Sequence, residues 1–559
     1  MSHLLGQHVL ILGLGHTGLA MARWCARCGA RVTVADTRAQ PPQLEALQRE
    51  LPDARFVHGA LDASLLAGSD VRALFKSPGL APAEVAAVVA AAREQGLWVG
   101  GELSLFAQAL AELKASEGYC PQLLAVSGTN GKTTVTALTA QLVERAGKSV
   151  VAAGNIGPTL LDTLREKLDA ASPHPGPLPG GEGENRSQDE GLRVPHPGPL
   201  AEAEDEAVDG AQAASLGVAL PEVWVLELSS FQLADAADFE ATAATLLNIS
   251  QDHLDWHGSL DAYIAAKARV FGKQGLMLLN RDDPLVMALL AAPVPLPALG
   301  RGRQPRLQQR AWASFGADMP QRAGDFGIEV VNGMAWLVRA MPGDETIKVK
   351  RGGKQPELHI QRLMPADALR IRGRHNALNA LAALALASAA GCGLAATLHG
   401  LREYRGEPHR VQSVGVLDGV EYFDDSKGTN VGATVAALAG LGADRRLVLI
   451  LGGEGKGQDF GPLAAPVTRY ARAVVLIGRD ANLIQAALQG TGVPMLSAQS
   501  MAQAVPMAQQ CAQTGDAVLL SPACASFDMF DHYEHRAQVF VQELQNLAQE
   551  SGAMLEGVQ

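Results

Sequence analysis

The stretch LLAVSGTNGKTT, residues 123–134, decides how the rest of the chain is read. Residues 123–126 are an apolar run of the kind that makes a buried strand, and residues 135–142 suit a helix. Between them Gly128 and Gly131 let the backbone turn tightly, so that its N–H groups can face an anion. Lys132 adds positive charge for the outer phosphates, and the hydroxyl of Thr133 or Thr134 can ligate Mg²⁺. Only Thr129 and Asn130 separate the glycines, which makes the loop shorter than the common GxxxxGK[ST] pattern. Strand, glycine turn, lysine and helix in that order predict an ATP phosphate cradle running from Gly128 to Thr134.

Toward the N-terminus, a strand at residues 8–12 leads into Gly13-Leu14-Gly15-His16-Thr17-Gly18 and a helix reaching Cys28. A second strand, residues 31–35, closes on Asp36, where a nucleotide ribose would be held. This GxGxxG arrangement fits NAD, but equally any nucleotide diphosphate, because close backbone and a helix start read phosphate rather than nicotinamide. A further turn, Lys76-Ser77-Pro78-Gly79, follows the strand-like residues 71–75 and is expected on the same carboxyl edge.

Toward the C-terminus, a strand near residues 149–153 runs into Gly154-Asn155. A strand at 223–228 carries Glu227 near its end. Another at 244–249 is followed by Asp252-His253, and a helix at 261–271 holds Lys267. Strands that end in acid or imidazole beside a phosphate loop would bring Glu227 and His253 to the edge where Mg²⁺-ATP sits. Residues 300–325, rich in Arg, Gln and Pro, read as a long exposed loop or a small excursion. His375-Asn376 opens an alanine-rich stretch with Asn379. Residues 377–398 contain no charge, and their alanines and glycines predict a buried helix rather than a membrane span. Glu407-Pro408-His409-Arg410 reads as a linker. Beyond it, short strands at 422–423, 447–451, 474–477 and 518–520 each end in a polar or glycine-rich turn, as in a doubly wound parallel sheet.

A chain of 559 residues, 47% apolar and 19% charged, has room for three or four soluble domains. Its six scattered cysteines make no disulfide framework and point to a reducing cytoplasm. Cys25 and Cys28 lie at i,i+3, which suits packing on a helix face better than a zinc site. No Lys or Arg precedes the first apolar run, which also breaks at glycines, so no signal peptide is expected. A net charge of −12 without a basic cluster argues against nucleic acid. Residues 172–219 stand apart: seven prolines and six glycines fall between Ser172 and Leu200, and PHPGPL occurs at 173 and again at 195. Such composition buries too little apolar area to offset ordering entropy, so a disordered insertion is expected there.

Taken in order, GTNGKTT, ELSSFQL, Asp252-His253 with Lys267, HNALNALAA, His409-Arg410 and the turns of the last segment resemble the Mur ligase family, the ATP-dependent amide ligases of peptidoglycan precursor synthesis. The likeness covers almost the whole chain apart from 172–219 and 300–325. It implies an α/β protein of three domains. These are a Rossmann-like N-terminal domain (1–101), a central P-loop ATPase-type parallel sheet (102–406) and a Rossmann-like C-terminal domain (407–559). The stretches around Gly13–Gly18 and Asp36-Thr37-Arg38, with DSKGTN (425–430) and SPACAS (521–526), resemble the branch that adds D-glutamate to UDP-N-acetylmuramoyl-L-alanine.

The resemblance also implies roles. His16, Thr17, Asp36, Thr37, Arg38, Ser77 and Gly79 would seat the UDP moiety, with Asn155 and His253 reaching the muramoyl part. ATP would lie on Gly128, Thr129, Asn130, Gly131, Lys132, Thr133 and Thr134, with Asn379, Arg410 and Asp425 around it. Two Mg²⁺ ions would be held by Thr133, Glu227, His253 and Lys267, the lysine as a carbamate. Lys427, Thr429, Lys456, Ser526 and Phe527, with Tyr533 nearby, would meet D-glutamate. A cytoplasmic monomer that binds neither nucleic acid nor membrane is expected. Three other readings stay open: another Mur-type ligase that adds a different amino acid, an NAD-dependent dehydrogenase built on GxGxxG, which leaves the phosphate loop and DSKGTN unused, and a non-catalytic nucleotide-binding module.

Overall fold

The computed structural model describes residues 3–155, 157–171, 220–236, 238–290, 310–343, 358–443 and 445–557, with the backbone alone at 294–295 and 307–308. The insertion expected at 172–219 lies outside the described residues, as does part of 300–325.

Three sheets are built in sequence. The first has five parallel strands: β1 (His8–Leu12), β2 (Arg31–Asp36), β3 (Arg55–His58), β4 (Val71–Lys76) and β5 (Trp98–Gly100), in spatial order β3-β2-β1-β4-β5. Four of the five β1 residues are buried, as befits a central strand covered on both faces. Helix His16–Arg27 follows β1 and turns Trp24 and Cys25 into that core, so the CxxC is a packing feature. Gly18 is required by contact: a Cβ there would lie 2.0 Å from the Gly13 carbonyl oxygen.

The second sheet has nine strands. β6 (Gln122–Ser127), β7 (Val150–Gly154), β8 (Val223–Glu227), β9 (Ala243–Leu246) and β10 (Leu276–Asn280) form its parallel part, with β6 between β8 and β9. A separate two-stranded pair joins β11 (Val294–Pro295) to β12 (Leu307–Gln308). β13 (Trp312–Phe315) then extends the large sheet in parallel with β10, Met277 opposite Trp312. The reading of 300–325 as an exposed loop is therefore wrong at its centre. WASF is too short to show a period, and only the open edge of β10 makes it a strand. β14 (Phe326–Val331), β15 (Met334–Met341) and β16 (His359–Pro365) complete the sheet as an antiparallel meander.

Helix Arg374–Ala389 packs its alanines against helix Lys132–Arg145, which lets the two backbones approach closely. The expected alanine-rich helix is broken at Gly391 (φ +75°) and resumes as Leu394–Glu403. No helix among the described residues is long and apolar enough to cross a membrane.

The third sheet runs β17-β18-β22-β19-β20-β21: β17 (Gln412–Leu417), β18 (Val420–Asp424), β19 (Leu447–Gly452), β20 (Ala471–Ile477), β21 (Met495–Ser497) and β22 (Ala517–Leu520). β17 is antiparallel and the rest are parallel. The carboxyl ends of β18, β19 and β22 carry the three turns singled out in the sequence.

Candidate active site

The phosphate loop leaves the buried end of β6 and enters helix Lys132–Arg145 at Gly131, whose φ is +84°. A Cβ on Gly131 would sit 2.7 Å from Asn379 Oδ1, so glycine is needed both for the turn and for the neighbour. The loop is fastened from β9: Asn248 accepts the Asn130 N–H through its side chain (2.8 Å) and donates back to the Asn130 carbonyl (3.0 Å). Thr129 Oγ1 shares a bond of 3.0 Å with the Tyr263 hydroxyl. Lys132 Nζ donates to the Gly128 and Thr129 carbonyls at 2.9 Å each. Burial pulls its pKa down from the ordinary lysine value, and the Glu227 charge opposes that pull.

Beside this loop stand the groups from neighbouring strands. Glu227, at the end of β8, is 2% exposed; one oxygen accepts the Asn155 amide at 2.9 Å and Oε2 has no partner. His253 sits with φ +52°, 3.6 Å from Asp252 Oδ2, its ring edge on Phe231. Burial holds its imidazole below the ordinary value, with Asp252 opposing. Lys267 is 2% exposed, donates to the Gly128 carbonyl at 2.7 Å and lies 4.8 Å over the Tyr263 ring. Burial first, then the Lys132 charge, drive its pKa well below that of a free lysine.

These donors suit Mg²⁺. The orphaned carboxylate oxygen of Glu227 is a hard ligand, and a hydroxyl, Thr133 Oγ1, lies in the same cavity. Among the described residues no three His, Cys, Asp or Glu cluster into a closed cage. Mg²⁺ characteristically binds through one or two protein oxygens plus substrate phosphates and water, so an open donor set fits it.

The third sheet closes over the loop. Arg410 donates to Thr133 Oγ1 at 2.6 Å, and Asn430 and Asn130 exchange side-chain bonds of 3.0 and 3.2 Å. Asp425 is buried, accepts the Ser521 hydroxyl at 2.6 Å, and burial lifts its pKa to about 7. Lys427 lies 3.8 Å over the Tyr533 ring; burial and then Arg410 lower it to about 8. His409 bonds Asp424 at 2.6 Å and is raised above its ordinary value by that bond.

One cavity of about 500 Å³ is lined by Thr129, Asn130, Gly131, Lys132 and Thr133 of the loop together with Asn155, Glu227, His253, Arg410, Lys427, Thr429 and Tyr533. A smaller adjoining space of about 120 Å³ takes in Thr134, Asn379 and Asp425. Lys267 lines neither space and is bonded to the Gly128 carbonyl at the start of the loop. Lys456, Ser526 and Phe527 line neither space: Lys456 is exposed, Ser526 is buried and Phe527 is 68% exposed.

The N-terminal candidates form a separate group on the first sheet. Asp36 is 2% exposed and accepts the Leu14 N–H (2.7 Å), the Arg38 N–H (2.9 Å) and two Arg38 guanidinium bonds (2.8 Å each). Burial alone would raise it, but those donors outweigh burial and hold it at about 2. It therefore organises the Gly13–Gly18 turn and aims Arg38. His16, Thr37 and Gly79 are exposed around it, and Thr17 and Ser77 half-buried. Asp252, Glu407, His409, Asn430 and Glu534 also line the main cavity and were missed as site residues. Asn430 was in view within DSKGTN; Glu534 gave no signal, since only the fold brings the start of its helix to the loop.

Three family models match the chain: Mur ligase MurD-like, N-terminal domain, at residues 7–101; Mur ligase middle domain at 205–297; and Mur ligase, glutamate ligase domain, at 409–524. The chain is 63% identical over 557 residues to the UDP-N-acetylmuramoylalanine–D-glutamate ligase of Albidiferax ferrireducens, covering 100% of this chain and 99% of that one. It is 54% identical to the protein of the same name from a Polaromonas species, over 99% of this chain and all of the relative. Among solved structures, a MurF from Acinetobacter baumannii shares the fold with a TM-score of 0.50 at 15% identity, over 97% of this chain and 92% of that one.

Proposed function

The chain belongs to the Mur ligase family, and from that premise we propose that it joins D-glutamate to UDP-N-acetylmuramoyl-L-alanine, converting ATP to ADP and phosphate. The observation that carries this reading is the single cavity where the phosphate loop, Glu227 and His253 of the second sheet, Arg410 of the linker and Lys427 from beyond it converge. No nucleophile elbow occurs in the sequence, so the acceptor's own carboxylate is the group to be activated.

That carboxylate attacks the γ-phosphorus in line, ADP leaves, and an acyl phosphate remains. The amine of D-glutamate then attacks the acyl carbon, and the tetrahedral adduct expels phosphate. Lys132 swings from the loop carbonyls to the β- and γ-oxygens, Arg410 neutralises charge from the opposite wall, and Asn379 and Asp425 hold the nucleoside. Lys427, Thr429, Lys456, Ser526 and Phe527, with Tyr533, hold the D-glutamate carboxylates; Asn155 and His253 hold the muramoyl end; His16, Thr17, Thr37, Arg38, Ser77 and Gly79, set by Asp36, hold UDP. Thr133, Glu227, His253 and a carbamylated Lys267 would hold Mg²⁺, which would supply charge neutralisation on the phosphate oxygens. A buried ammonium would repel metal, whereas its carbamate is an oxygen donor. The division at 101/102 and 406/407 belongs to the same proposal and falls between the sheets.

Phosphate release measured with D-glutamate, L-glutamate and D-alanine against the same UDP-muramoyl acceptor tests the reading. Release with D-glutamate alone is expected; equal release with another amino acid would overturn the substrate assignment.

A further inference from the structure

Adjoining the nucleoside pocket, with which it shares Asn376, Glu407 and Arg410, lies a larger cavity of about 840 Å³. Its walls are the segment before helix Arg374–Ala389, the linker itself, β17 and β18, and the end of helix Val431–Leu441. Five arginines, Arg370, Arg372, Arg405, Arg410 and Arg445, line it against two glutamates, Glu407 and Glu421. Both glutamates already have partners: Glu407 accepts the Tyr404 hydroxyl (2.7 Å), and Glu421 accepts Ser413 (2.7 Å) and Arg445 (2.5 Å). Among the described residues Arg370 and Arg372 reach only backbone carbonyls, of Arg402 at 3.1 Å and Asp367 at 3.4 Å, and no carboxylate.

Arginine forks match phosphate oxygens in pairs, and several converging on one space of small-molecule size favour an anion with more than one charged group. We propose that this cavity binds a multiply phosphorylated small molecule, held chiefly by Arg370 and Arg372. Arg410 lines this cavity and also bonds Thr133 of the phosphate loop, so an anion here competes for the guanidinium that closes the ATP site. Occupancy consequently weakens ATP binding. That last consequence rests on the ATP reading; the binding itself does not.

The test is titration calorimetry of the full-length protein with inorganic tripolyphosphate while the phosphate loop is saturated with ADP and Mg²⁺. A binding isotherm that persists under ADP, and that weakens at least about tenfold in the double variant Arg370→Glu, Arg372→Glu, is expected. Loss of all tripolyphosphate binding under ADP would overturn the proposal, since the anion would then have only the ATP site. Binding unchanged in the double variant would overturn it as well. Unaltered ADP affinity and melting temperature in that variant show that it folds. In kinetics, tripolyphosphate should raise the KM for ATP in the parent several-fold more than in the double variant; equal effects would remove the coupling through Arg410 while leaving the calorimetric result to decide the site.

Discussion

Lys132 projects from the first turn of its helix back onto two carbonyls of its own loop, a resting pose that any phosphate oxygen would displace. In the proposed reaction its charge would face the negative charge that gathers in the transition state, so Lys132→Ala should cut kcat by about a hundredfold or more with little change in melting temperature. Near-parental turnover would remove the phosphate loop from the mechanism. Asp36 shows the opposite economy: it is wholly engaged by Leu14 and Arg38 and held at about 2. A depressed carboxylate stabilises the fold above its unfolded value of 3.8, and that contribution is lost as pH falls through about 2. Asp36→Asn should therefore flatten the acid limb of a stability-against-pH curve and raise the KM for the UDP substrate, because Arg38 loses its anchor. A variant with the parental acid limb would contradict this.

At the level of elements, Arg536 ties two turns together. It is 1% exposed and donates to the Ser426 carbonyl of DSKGTN (2.8 Å) and the Cys524 carbonyl of SPACAS (3.2 Å). Arg536→Met keeps most of the volume. The lost bonds and the relief of a buried charge partly offset each other in stability. The turns lose their brace, so the KM for D-glutamate should rise about tenfold while that for ATP moves less than about threefold. Equal shifts in both would make the role merely structural. The elements also show where sequence reading stops. β6, β8 and, in the third sheet, β18, β19, β20 and β22 announce themselves as apolar runs closed by polar turns, because strands buried on both faces must be apolar. β17 and β21 are not legible in this way. Nor are β13 and β3: each is four residues long, and each is made a strand by the edge it meets.

At the scale of the whole molecule, the bonds Arg410–Thr133 and Asn430–Asn130 bridge the second and third sheets through small contacts that a hinge can break. Small-angle scattering should register compaction when an ATP analogue and the UDP substrate are added together, and an unchanged radius of gyration would contradict domain closure. Residues 172–219 lie between helix Leu160–Ala171 and β8, which pairs with β7 and β6 without them. Deleting residues 175–215 should leave turnover within a few-fold of the full chain, and a collapse in activity would make the segment part of the working fold.

What the chain determines on its own is the set of parts: the phosphate loop, the GxGxxG turn, the acid and imidazole at strand ends, and their order. Each is a local demand of backbone geometry or charge, so each is written in adjacent residues. Which parts share a cavity was decided only by tertiary structure. Lys427 reaches Lys132 and Glu227 across some two hundred residues or more, Asp36 turns inward to its own loop, and five arginines meet behind the linker. Those outcomes depend on how three sheets pack, and side-chain distances between separate sheets leave no periodic trace in a sequence.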